Sequence, residues 1–472
     1  MISRITRVLI ANRGEIACRV EKTCKRLGIE TVAVYSDADE KALHVKAATT
    51  AIRVGGSPVK DSYLKVEAIL AAVENSKADA VHPGYGLLSE KESFATAVRA
   101  KGVIFIGPPA ACLDAFGDKI KARGVARAAG VSPPPGTDGP IDPSDAAALT
   151  READRIGYPL LVKAAGGGGG IGMQLVESAD KLARAAASCS DRGKSAFSDA
   201  RVYMERYVTS PKHIEVQVMA DEHGNVATLG ERECSLQRRH QKIIEETPSP
   251  APFFSGPEGE ARRTALHDAA KRIVASVGYV GAGTVEFVAS PAGELFFLEV
   301  NARLQVEHCV TEMVTNIDLV EQQLRVAAGE KLSDEVLSAK PRGHSIEARL
   351  YAENPLKMFA PQPGTLKKLV WPTDQRDLRI ETGVEEGAEV TPFYDPMIAK
   401  VVAWGTTRDD AIARLHRALA ETVVELVGPL GPAATNLEFL KSLLESEPVK
   451  LGDYDTSFAE KHAKALKAAG AT

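Results

Sequence analysis

Residues 283–308 read Gly-Thr-Val-Glu-Phe-Val-Ala-Ser-Pro-Ala-Gly-Glu-Leu-Phe-Phe-Leu-Glu-Val-Asn-Ala-Arg-Leu-Gln-Val-Glu-His. The two apolar runs of this stretch, Gly283–Ala289 and Glu294–Val300, have the composition of β-strands. Residues 290–293 between them contain the proline and glycine typical of a tight turn. The stretch therefore predicts a β-hairpin, and the register of that hairpin decides which of its polar side chains meet.

The register of this hairpin brings two carboxylates together. If Ser290 pairs with Leu295, then Glu286 pairs with Glu299, and directly opposed residues have Cβ atoms about 4.5–5.5 Å apart. Two carboxylates at that distance repel each other unless one is protonated or a cation lies between them. Because the ligands are hard oxygens, Mg²⁺ or Mn²⁺ is the expected cation.

The chain that follows carries polar residues at every second position. Strand side chains alternate between two faces, so an extended chain places five polar residues on one face. The alternative is that they form the solvated side of an edge strand. The sequence of these polar residues, with two carboxylic acids, two amides and one guanidinium, instead favours a site that holds a metal ion, an anion and a general base side by side. The five residues are Glu299, Asn301, Arg303, Gln305 and Glu307.

The first 110 or so residues alternate between short apolar runs and helical patterns. This order predicts a parallel sheet with crossover helices. The glycine fingerprint of dinucleotide folds is absent, because Asn12-Arg13-Gly14-Glu15 stands in its place. The layout is Rossmann-like, but it does not indicate NAD. The predicted strands are Arg7–Ala11, Thr31–Tyr35, Ala80–His82 and Val103–Gly107.

The composition is that of an ordinary globular protein. The chain has 472 residues, of which 44% are hydrophobic and 26% charged, and its formal net charge is −5. The length predicts about three domains, and a nearly balanced charge argues against general nucleic-acid binding. Six scattered cysteines favour a reducing compartment over a disulfide framework. With no signal peptide pattern and no long apolar run, the expected location is the cytoplasm and not a membrane.

A glycine run interrupts a second hairpin pattern. Gly166–Gly170 are five consecutive glycines, and Lys163 lies just upstream. Backbone N–H groups of such a run can surround an anion, and a lysine beside them suits phosphate. The alternative is a flexible hairpin tip. The run is not a P-loop, because no Gly-Lys-Ser/Thr opens a helix after it, so it is predicted to be a lid over phosphates.

A basic cluster lies between these two features. Arg238, Arg239, His240 and Lys242 are followed by Glu245 and Glu246. Such a run is usually a solvated charged face, and without interleaved aromatic residues it does not indicate nucleic acid. The functional alternative is an anion pocket into which Gln237, His240 and Lys242 point.

Several long motifs together resemble biotin carboxylase, a family of the ATP-grasp superfamily. The resemblance extends from about residue 4 to about residue 460. It rests on Lys163 with Gly166–Gly172, on residues 231–242 and 299–308, on His82-Pro-Gly-Tyr-Gly86 and on Tyr394-Asp-Pro-Met-Ile-Ala-Lys400.

The resemblance implies an α/β protein with the ATP-grasp fold. It has a Rossmann-like N-terminal domain, a mobile glycine-rich lid and a C-terminal α+β domain. The expected divisions are an N-terminal domain at 1–115, a linker at 116–136, a lid at 137–205, a catalytic core at 206–335, a C-terminal domain at 336–450 and a tail at 451–472.

The resemblance also implies a reaction. ATP and bicarbonate give carboxyphosphate, which breaks down to CO₂ and phosphate, and the CO₂ carboxylates N1 of biotin. ATP, Mg²⁺ or Mn²⁺, and biotin that is not attached to this chain are the implied cofactors and substrates.

Each residue role is implied position by position. ATP is held by Lys119, Lys163, the lid residues Gly167, Gly168, Gly169 and Gly170, Glu205 at the adenine hinge, and His213, Gln237 and His240. The metal is held by Glu286, Glu299 and Asn301. Bicarbonate is bound by Lys242, Arg303, Gln305 and the backbone of Val306. Glu307 is the general base, and Arg349 stabilises the enolate-like form of biotin.

Three positions depart from the pattern of the family. Ile171 stands where a basic lid residue is usual, which removes a cation from the lid. Ala302 replaces a more usual Thr, and Lys91 replaces a more usual Asn. We expect the last two to be minor.

Carrier domains of biotin enzymes place their acceptor lysine between two methionines, and no lysine here has that setting. The resemblance therefore implies the separate biotin carboxylase subunit of an acyl-CoA carboxylase of the acetyl-CoA or propionyl-CoA type. Its expected partners are a biotin carboxyl carrier protein, a carboxyltransferase and a second copy of itself. Two alternatives stay open: another ATP-grasp ligase that joins a carboxylate to an amine, and a non-catalytic scaffold.

Overall fold

The computed structural model describes residues 4–165, 172–374 and 376–470. Its N-terminal part alternates strands and helices, as the sequence predicts. The strands are β1 (Arg7–Ile10), β2 (Glu30–Ser36), β3 (Thr50–Gly55), β4 (Ala80–His82) and β5 (Ile104–Phe105). The helices are α1 (Gly14–Arg26), α2 (Leu43–Ala47), α3 (Val66–Ser76), α4 (Glu92–Ala100), α5 (Ala110–Gly117) and α6 (Lys119–Ala128).

The N-terminal sheet is parallel, with strand order β3-β2-β1-β4-β5. The predicted parallel sheet is therefore confirmed, and β3 is a strand that the sequence pattern did not reveal. Helix α1 begins directly beyond β1, so its first residues lie at the carboxyl edge of the sheet, where α/β folds place ligands. Helix α6 lies within the segment 116–136 predicted as a linker, and the division into domains stays a prediction.

A smaller unit follows, with a sheet of its own. The strand order is β7-β6-β8, and β6 and β7 pair antiparallel with Lys163 opposite Met173. This pairing is the second hairpin predicted around the glycine run. The elements are α7 (Ala146–Ile156), β6 (Leu160–Ala164), β7 (Met173–Val176), α8 (Leu182–Phe197) and β8 (Val202–Arg206).

The rest of the chain is built on antiparallel strands with helices packed against them. Its strands are β9 (Lys212–Ala220), β10 (Val226–Arg238), β11 (Gln241–Thr247), β12 (Gly281–Ala289), β13 (Leu295–Asn301), β14 (His344–Tyr351), β15 (Glu353–Asn354), β16 (Ala360–Pro361), β17 (Gly364–Val370), β18 (Leu378–Thr382), β19 (Glu389–Val390), β20 (Met397–Gly405), β21 (Val423–Gly428) and β22 (Gly431–Ala433). Its helices are α9 (Gly256–Ala275), α10 (His308–Thr315), α11 (Leu319–Ala327), α12 (Asp334–Leu337), α13 (Arg408–Glu421), α14 (Leu437–Glu445), α15 (Glu447–Leu451) and α16 (Phe458–Ala468).

One long sheet joins this region together, in the order β13-β12-β9-β10-β11-β14-β20-β18. All of its neighbouring strands are antiparallel. A smaller sheet, β19-β17-β21-β22, lies in the C-terminal part. Because the long sheet runs from the β12–β13 hairpin to the C-terminal part, it holds both in one rigid arrangement.

The β12–β13 hairpin has the predicted pairing of Glu286 with Glu299, but not the predicted turn. Ser290 bonds to Glu294 and not to Leu295, as its N–H donates to the Glu294 carbonyl over 2.9 Å. A β-bulge between Glu286 and Phe287 adds one residue to β13 and restores the register. The turn prediction was wrong by one residue, and the bulge cancels that error at the carboxylates.

The chain beyond Asn301 is not extended, so the prediction of a continuous strand face was wrong. β13 ends at Asn301, and α10 starts at His308. Between them the chain turns, with Ala302 and Leu304 buried in the core. The alternating pattern therefore reflects an irregular segment whose polar residues face one cavity.

Among the described helices, none is both long and apolar enough to cross a lipid bilayer. The six cysteines all lie in the described ranges and form no disulfide.

Candidate active site

A cavity of about 700 Å³ lies where the three parts of the chain meet. Its walls come from the start of α1, the lid strands β6 and β7, the long sheet and the C-terminal part. Among the predicted site residues that the structure describes, all but Glu205 line it. They are Lys119, Lys163, His213, Gln237, His240, Lys242, Glu286, Glu299, Asn301, Arg303, Gln305, Val306, Glu307 and Arg349.

A row of charged residues crosses the sheet beneath this cavity. Glu299 on β13 pairs with Glu286 on β12, Glu286 with Glu215 on β9, and Glu215 with Arg232 on β10. Direct partners in antiparallel strands share a face, so four strands present three carboxylates and one guanidinium in line. The predicted pair of carboxylates is thus part of a longer row.

Lys242 gathers the carboxylates of the site. Its ammonium contacts Glu215, lies 3.0 Å from Glu286 Oε1 and 2.5 Å from Glu307 Oε1. Burial alone would lower the pKa of Lys242, but the three carboxylates raise it well above its usual value. The lysine is therefore a fixed positive charge at the centre of the site.

Glu307, at the N-terminus of α10, lies between two cations. Its Oε1 accepts from Lys242, and its Oε2 accepts from Arg349 Nη2 over 3.0 Å. Burial would raise the pKa of Glu307, but Lys242, Arg349 and Arg232 outweigh it and lower the pKa. Glu307 is consequently ionised at neutral pH, which is the protonation state that a general base needs.

Arg349, on β14, is shared between two carboxylates. Its Nη2 lies 2.5 Å from Glu245 Oε1 and 3.0 Å from Glu307 Oε2. Burial raises the pKa of Glu245 to about 7, because Arg349 offsets only part of the cost of desolvation. The guanidinium keeps its charge, since the carboxylates raise the pKa of Arg349 against its burial.

Arg303 is anchored by a residue of the N-terminal part. Its Nε donates to Glu90 Oε2 over 2.9 Å, and its Nη2 donates to Asn301 Oδ1 over 2.8 Å. The second oxygen of Glu90 accepts the N–H of Ala302 over 3.1 Å. Glu90 therefore fixes both the guanidinium and the backbone that carries it.

Gln305 uses both ends of its amide within the protein. Its Oε1 accepts from Arg232 Nη2 over 2.9 Å, and its Nε2 donates to Glu286 Oε1 over 2.7 Å. Arg232 is fully buried and also bonds Glu215 and Gln217. It holds the row of carboxylates and Gln305 in one arrangement.

The two predicted phosphate lysines are each paired with a carboxylate. Lys119 lies 3.0 Å from Glu299 Oε2, and Lys163 bonds Glu205. Glu205 also accepts from Arg123 Nη1 over 2.8 Å. The carboxylate of Glu205 thus holds Lys163 in place and does not face the cavity. The role of Glu205 at the adenine hinge stays a prediction.

The basic cluster divides into buried and exposed members. Arg238 is buried and lies 2.5 Å from Glu353, whereas Arg239 and His240 form the exposed tip of the β10–β11 hairpin. His240 lines the cavity mouth, where partial desolvation by the neighbouring walls lowers its pKa. The prediction of a solvated face therefore holds for Arg239.

His213 and Gln237 form a short chain along the cavity wall. Gln237 Nε2 lies 2.9 Å from His213 Nδ1, and His213 Nε2 lies 3.1 Å from Glu286 Oε2. Burial would lower the pKa of His213, but Glu286 reverses this and raises it. The predicted lid residues Gly166, Gly167, Gly168, Gly169, Gly170 and Ile171 lie outside the described residues.

Comparison with known proteins gives one consistent result. The family model for the biotin carboxylase N-terminal domain matches residues 4–113, and that for the biotin carboxylase C-terminal domain matches residues 347–461. Between them, residues 118–335 match the ATP-binding domain of the carbamoyl-phosphate synthase L chain. Biotin carboxylase 2 of Bacillus subtilis is 47% identical over 97% of this chain and 99% of its own length. The chain belongs to the biotin carboxylase family.

The biotin carboxylase assignment extends to solved structures. The biotin carboxylase domain of the Hydrogenobacter thermophilus 2-oxoglutarate carboxylase has a TM-score of 0.91 and 39% identity, over 98% of each chain. That crystal structure is a dimer with MgADP, ADP and bicarbonate. The present chain is thus an ATP-grasp ligase that carboxylates biotin at the expense of ATP.

Some relatives of this biotin carboxylase are longer. Subunit alpha of the mitochondrial methylcrotonoyl-CoA carboxylase of Dictyostelium discoideum is 46% identical over 99% of this chain, which spans 65% of that protein. The present residues therefore correspond to about two thirds of that subunit.

Two carboxylates of this biotin carboxylase fit a divalent metal. Glu286 and Glu299 oppose each other, Glu286 beside Lys242 and His213 and Glu299 beside Lys119. Asn301 fits less directly, because its Oδ1 accepts from Arg303 and its buried Nδ2 has no partner among the described residues. A free amide donor suits a phosphate oxygen.

Three residues of the biotin carboxylase site were missed from the sequence. Glu215 and Arg232 enter through strand pairings between distant segments, and Glu90 through a contact across the two parts of the chain. The only signal was alternation of polar residues in apolar strands, as in residues 213–217. Alternation predicts which face of the sheet a side chain lies on, but it does not predict which residue of another strand lies beside it.

Proposed function

We propose that this enzyme carboxylates N1 of a carrier-bound biotin through carboxyphosphate, with Glu307 as the base. The observation that carries the proposal is the position of Glu307. It is an ionised carboxylate between Lys242 and Arg349, on the wall of a cavity that also holds Lys119 and Lys163.

Bicarbonate is bound and deprotonated on one side of the cavity. Lys242, Arg303, Gln305 and the backbone N–H of Val306 bind its oxygens, and Glu307 takes its proton. Because bicarbonate is a weak nucleophile, removal of this proton raises its reactivity toward the γ-phosphorus of ATP. Its oxygen attacks that phosphorus, the bond to the β-phosphate oxygen breaks, and ADP and carboxyphosphate result.

ATP is bound across the cavity from bicarbonate. Lys119 and Lys163 place positive charge against the phosphates, where negative charge develops during phosphoryl transfer. His213, Gln237 and His240 line the same wall. When bound at Glu286 and Glu299, Mg²⁺ supplies further positive charge beside the transferring group.

Carboxyphosphate then breaks at its C–O bond to give CO₂ and phosphate. The phosphate accepts the N1 proton of biotin, and N1 attacks CO₂. Negative charge moves to the ureido oxygen of biotin in this step, and Arg349 stabilises it because a guanidinium stays charged.

The biotin is supplied from outside these 472 residues. No lysine of the chain lies between two methionines, which is the setting of the acceptor lysine in carrier domains. We infer that the partners are a biotin carboxyl carrier protein and a carboxyltransferase of an acyl-CoA carboxylase. We also propose a homodimer, supported by the dimeric relative from Hydrogenobacter, and a cytoplasmic location.

The test is ADP release from the purified protein with Mg-ATP and bicarbonate, with and without free biotin. We expect release that requires bicarbonate, rises with biotin and falls about 100-fold or more in Glu307→Gln. ATP binding should survive in that variant, and Glu294→Gln, which changes an exposed turn carboxylate, should match the wild type.

Other outcomes would favour the alternatives. ADP release that ignores biotin would indicate another ATP-grasp carboxylate–amine ligase. Nucleotide binding without turnover would indicate a scaffold, and Ile171→Arg would then test whether the missing lid cation is the cause.

A further inference from the structure

Lys400 is a buried cation for which the proposed reaction has no use. It ends the Tyr394–Lys400 motif and lies in β20, directly opposite Arg349 of β14. Its side chain is fully buried, which is rare for a lysine unless its charge is paired. Such a residue needs a structural or a functional reason.

The ammonium of Lys400 makes two hydrogen bonds and one ion pair. It donates to the Val306 carbonyl over 2.8 Å and to Cys309 Sγ over 3.3 Å. It also lies 2.9 Å from Glu15 Oε1 of α1. One side chain thus connects β20, the loop before α10 and the N-terminal part.

The bond to Val306 acts on the general base. The Val306 carbonyl belongs to the peptide unit that joins Val306 to Glu307. Fixing this peptide plane fixes the direction in which the Cα of Glu307 projects its side chain. The same loop carries the Val306 N–H that is proposed to bind bicarbonate.

We propose that Lys400 is the positioning residue of Glu307: it holds the Val306–Glu307 peptide so that the carboxylate meets bicarbonate in the reactive geometry. This inference rests on the proposed role of Glu307 as the base. Lys400 is fully buried and is not among the residues that line the cavity, so it does not contact the reacting atoms.

The other end of the connection is also built into the fold. Glu15 Oε2 accepts from Tyr85 OH over 2.5 Å, and both residues line the cavity. A Cβ on Gly383 would lie 2.3 Å from Glu15 N, so the glycine permits α1 to approach the end of β18. Glu15 is therefore held from two sides.

Glu15 is the counter-ion of Lys400. The other acidic groups around the ammonium are Glu347, Cys309 and Glu381. Burial raises the pKa of Glu347 well above its usual value and that of Cys309 above its usual value. Glu381 is paired with Arg379 at 2.6 Å, which leaves Glu15 as the acid that depends on Lys400. Replacing Lys400 by a neutral residue therefore leaves the charge of Glu15 uncompensated, which destabilises the protein for a reason unrelated to Glu307.

A double variant separates the two effects. Lys400→Met removes both the anchor and the charge, whereas Glu15→Gln/Lys400→Met removes the anchor and neutralises Glu15 as well. Glu15→Gln alone keeps the anchor on Val306. We measure ADP release against bicarbonate and ATP concentration, and the thermal unfolding midpoint, for each protein.

The expected result is a lower kcat without recovery in the double variant. Misplacement of a catalytic group by about 1 Å can cost about 100-fold in rate. We expect kcat to fall on that scale in both Lys400 variants and the KM for bicarbonate to rise, with the KM for ATP unchanged. The unfolding midpoint should fall in Lys400→Met and recover in the double variant, and Glu15→Gln should lose far less kcat than either Lys400 variant.

Two outcomes would overturn the inference: a double variant that regains kcat together with stability, or one that raises both KM values equally. Lys212→Met is the matched control, since Lys212 is a second buried lysine that donates to backbone carbonyls, those of Gly452 and Tyr454. It should lower stability without the loss of kcat. If the wild type itself shows no bicarbonate-dependent ADP release, the proposed function fails. The wild type alone tests the proposed function, and comparison of the variants with an active wild type tests the role of Lys400.

Discussion

Arg303 illustrates how single residues of the site depend on partners outside it. Its guanidinium is held by Glu90, whose other oxygen accepts the N–H of Ala302. Without Glu90, the guanidinium regains its side-chain entropy and loses a charge-assisted bond. Such a bond is worth roughly 1.5–3 kcal/mol.

At this scale we expect Glu90→Ala to weaken bicarbonate binding. The KM for bicarbonate should rise about 10-fold, which corresponds to about 1.4 kcal/mol, while the KM for ATP stays unchanged. Steady-state ADP release measures both constants. Glu92→Ala is the control, because the Glu92 carboxylate bonds Thr96 on its own helix. An equal rise in both KM values would contradict this role of Glu90.

At the scale of secondary-structure elements, the β10–β11 hairpin also depends on a contact from outside the site. Its tip residues Arg239 and His240 have φ angles of 51° and 63°, in the left-handed region that disfavours side chains. The Arg239 N–H donates to Glu460 Oε1 of α16 over 2.7 Å. The C-terminal helix thus helps to hold a strained turn at the cavity mouth.

We expect Glu460→Ala to loosen this turn and to raise the KM for ATP. A rise of about threefold to tenfold is reasonable, because only part of the energy of a charge-assisted bond reaches the ligand. The kcat at saturating ATP should be unchanged. Nucleotide titration and steady-state kinetics test this, with Glu438→Ala on the exposed face of α14 as control. An unchanged KM for ATP would show that the turn keeps its conformation without Glu460.

At the scale of the molecule, Glu246 links β11 to the C-terminal part. Its carboxylate accepts from Arg408 over 2.7 Å and 2.9 Å and from Tyr454 OH over 2.6 Å, and it lies 2.7 Å from His344 Nε2. Burial would raise the pKa of Glu246, but Arg408 and His344 lower it far below its usual value. Glu246 therefore binds its proton more weakly in the folded than in the unfolded chain.

The sign of the pH effect follows from this difference. The stability from Glu246 is fully present above its unfolded pKa of about 4.3 and is lost as the pH falls further, toward the folded pKa. We expect Glu246→Gln to lower the free energy of unfolding at pH 7 by about 3–5 kcal/mol. The variant should also lose less stability than the wild type when the pH is lowered from 7 to 3, because it lacks the carboxylate that is protonated in this range.

Thermal unfolding midpoints between pH 7 and pH 3 test this expectation. Glu425→Gln, at an exposed pair 3.9 Å from Lys368, makes the same charge change and should have little effect. A Glu246→Gln protein as stable as the wild type at pH 7 would show that the cluster does not hold the C-terminal part.

Local signals in the sequence were sufficient for much of this architecture. The N-terminal sheet follows from alternating strands and helices, and the lid hairpin from two strands flanking glycines. The meeting of Glu286 and Glu299 follows from a short turn, because hairpin register is set within a few residues. The predicted turn was wrong by one residue, and a β-bulge in the hairpin offsets this error. Such a bulge has no clear signal in the sequence.

What the sequence by itself determined is therefore the elements, the carboxylate pair and, by resemblance, the family. The tertiary structure decided which distant residues complete the site. Glu215 meets Glu286 across 71 positions of sequence, and Lys400 meets Val306 across 94. Such pairings depend on the register of strands that fold together from remote segments. Their charges are stable only because burial and mutual pairing occur at once, and neither is encoded in a local pattern.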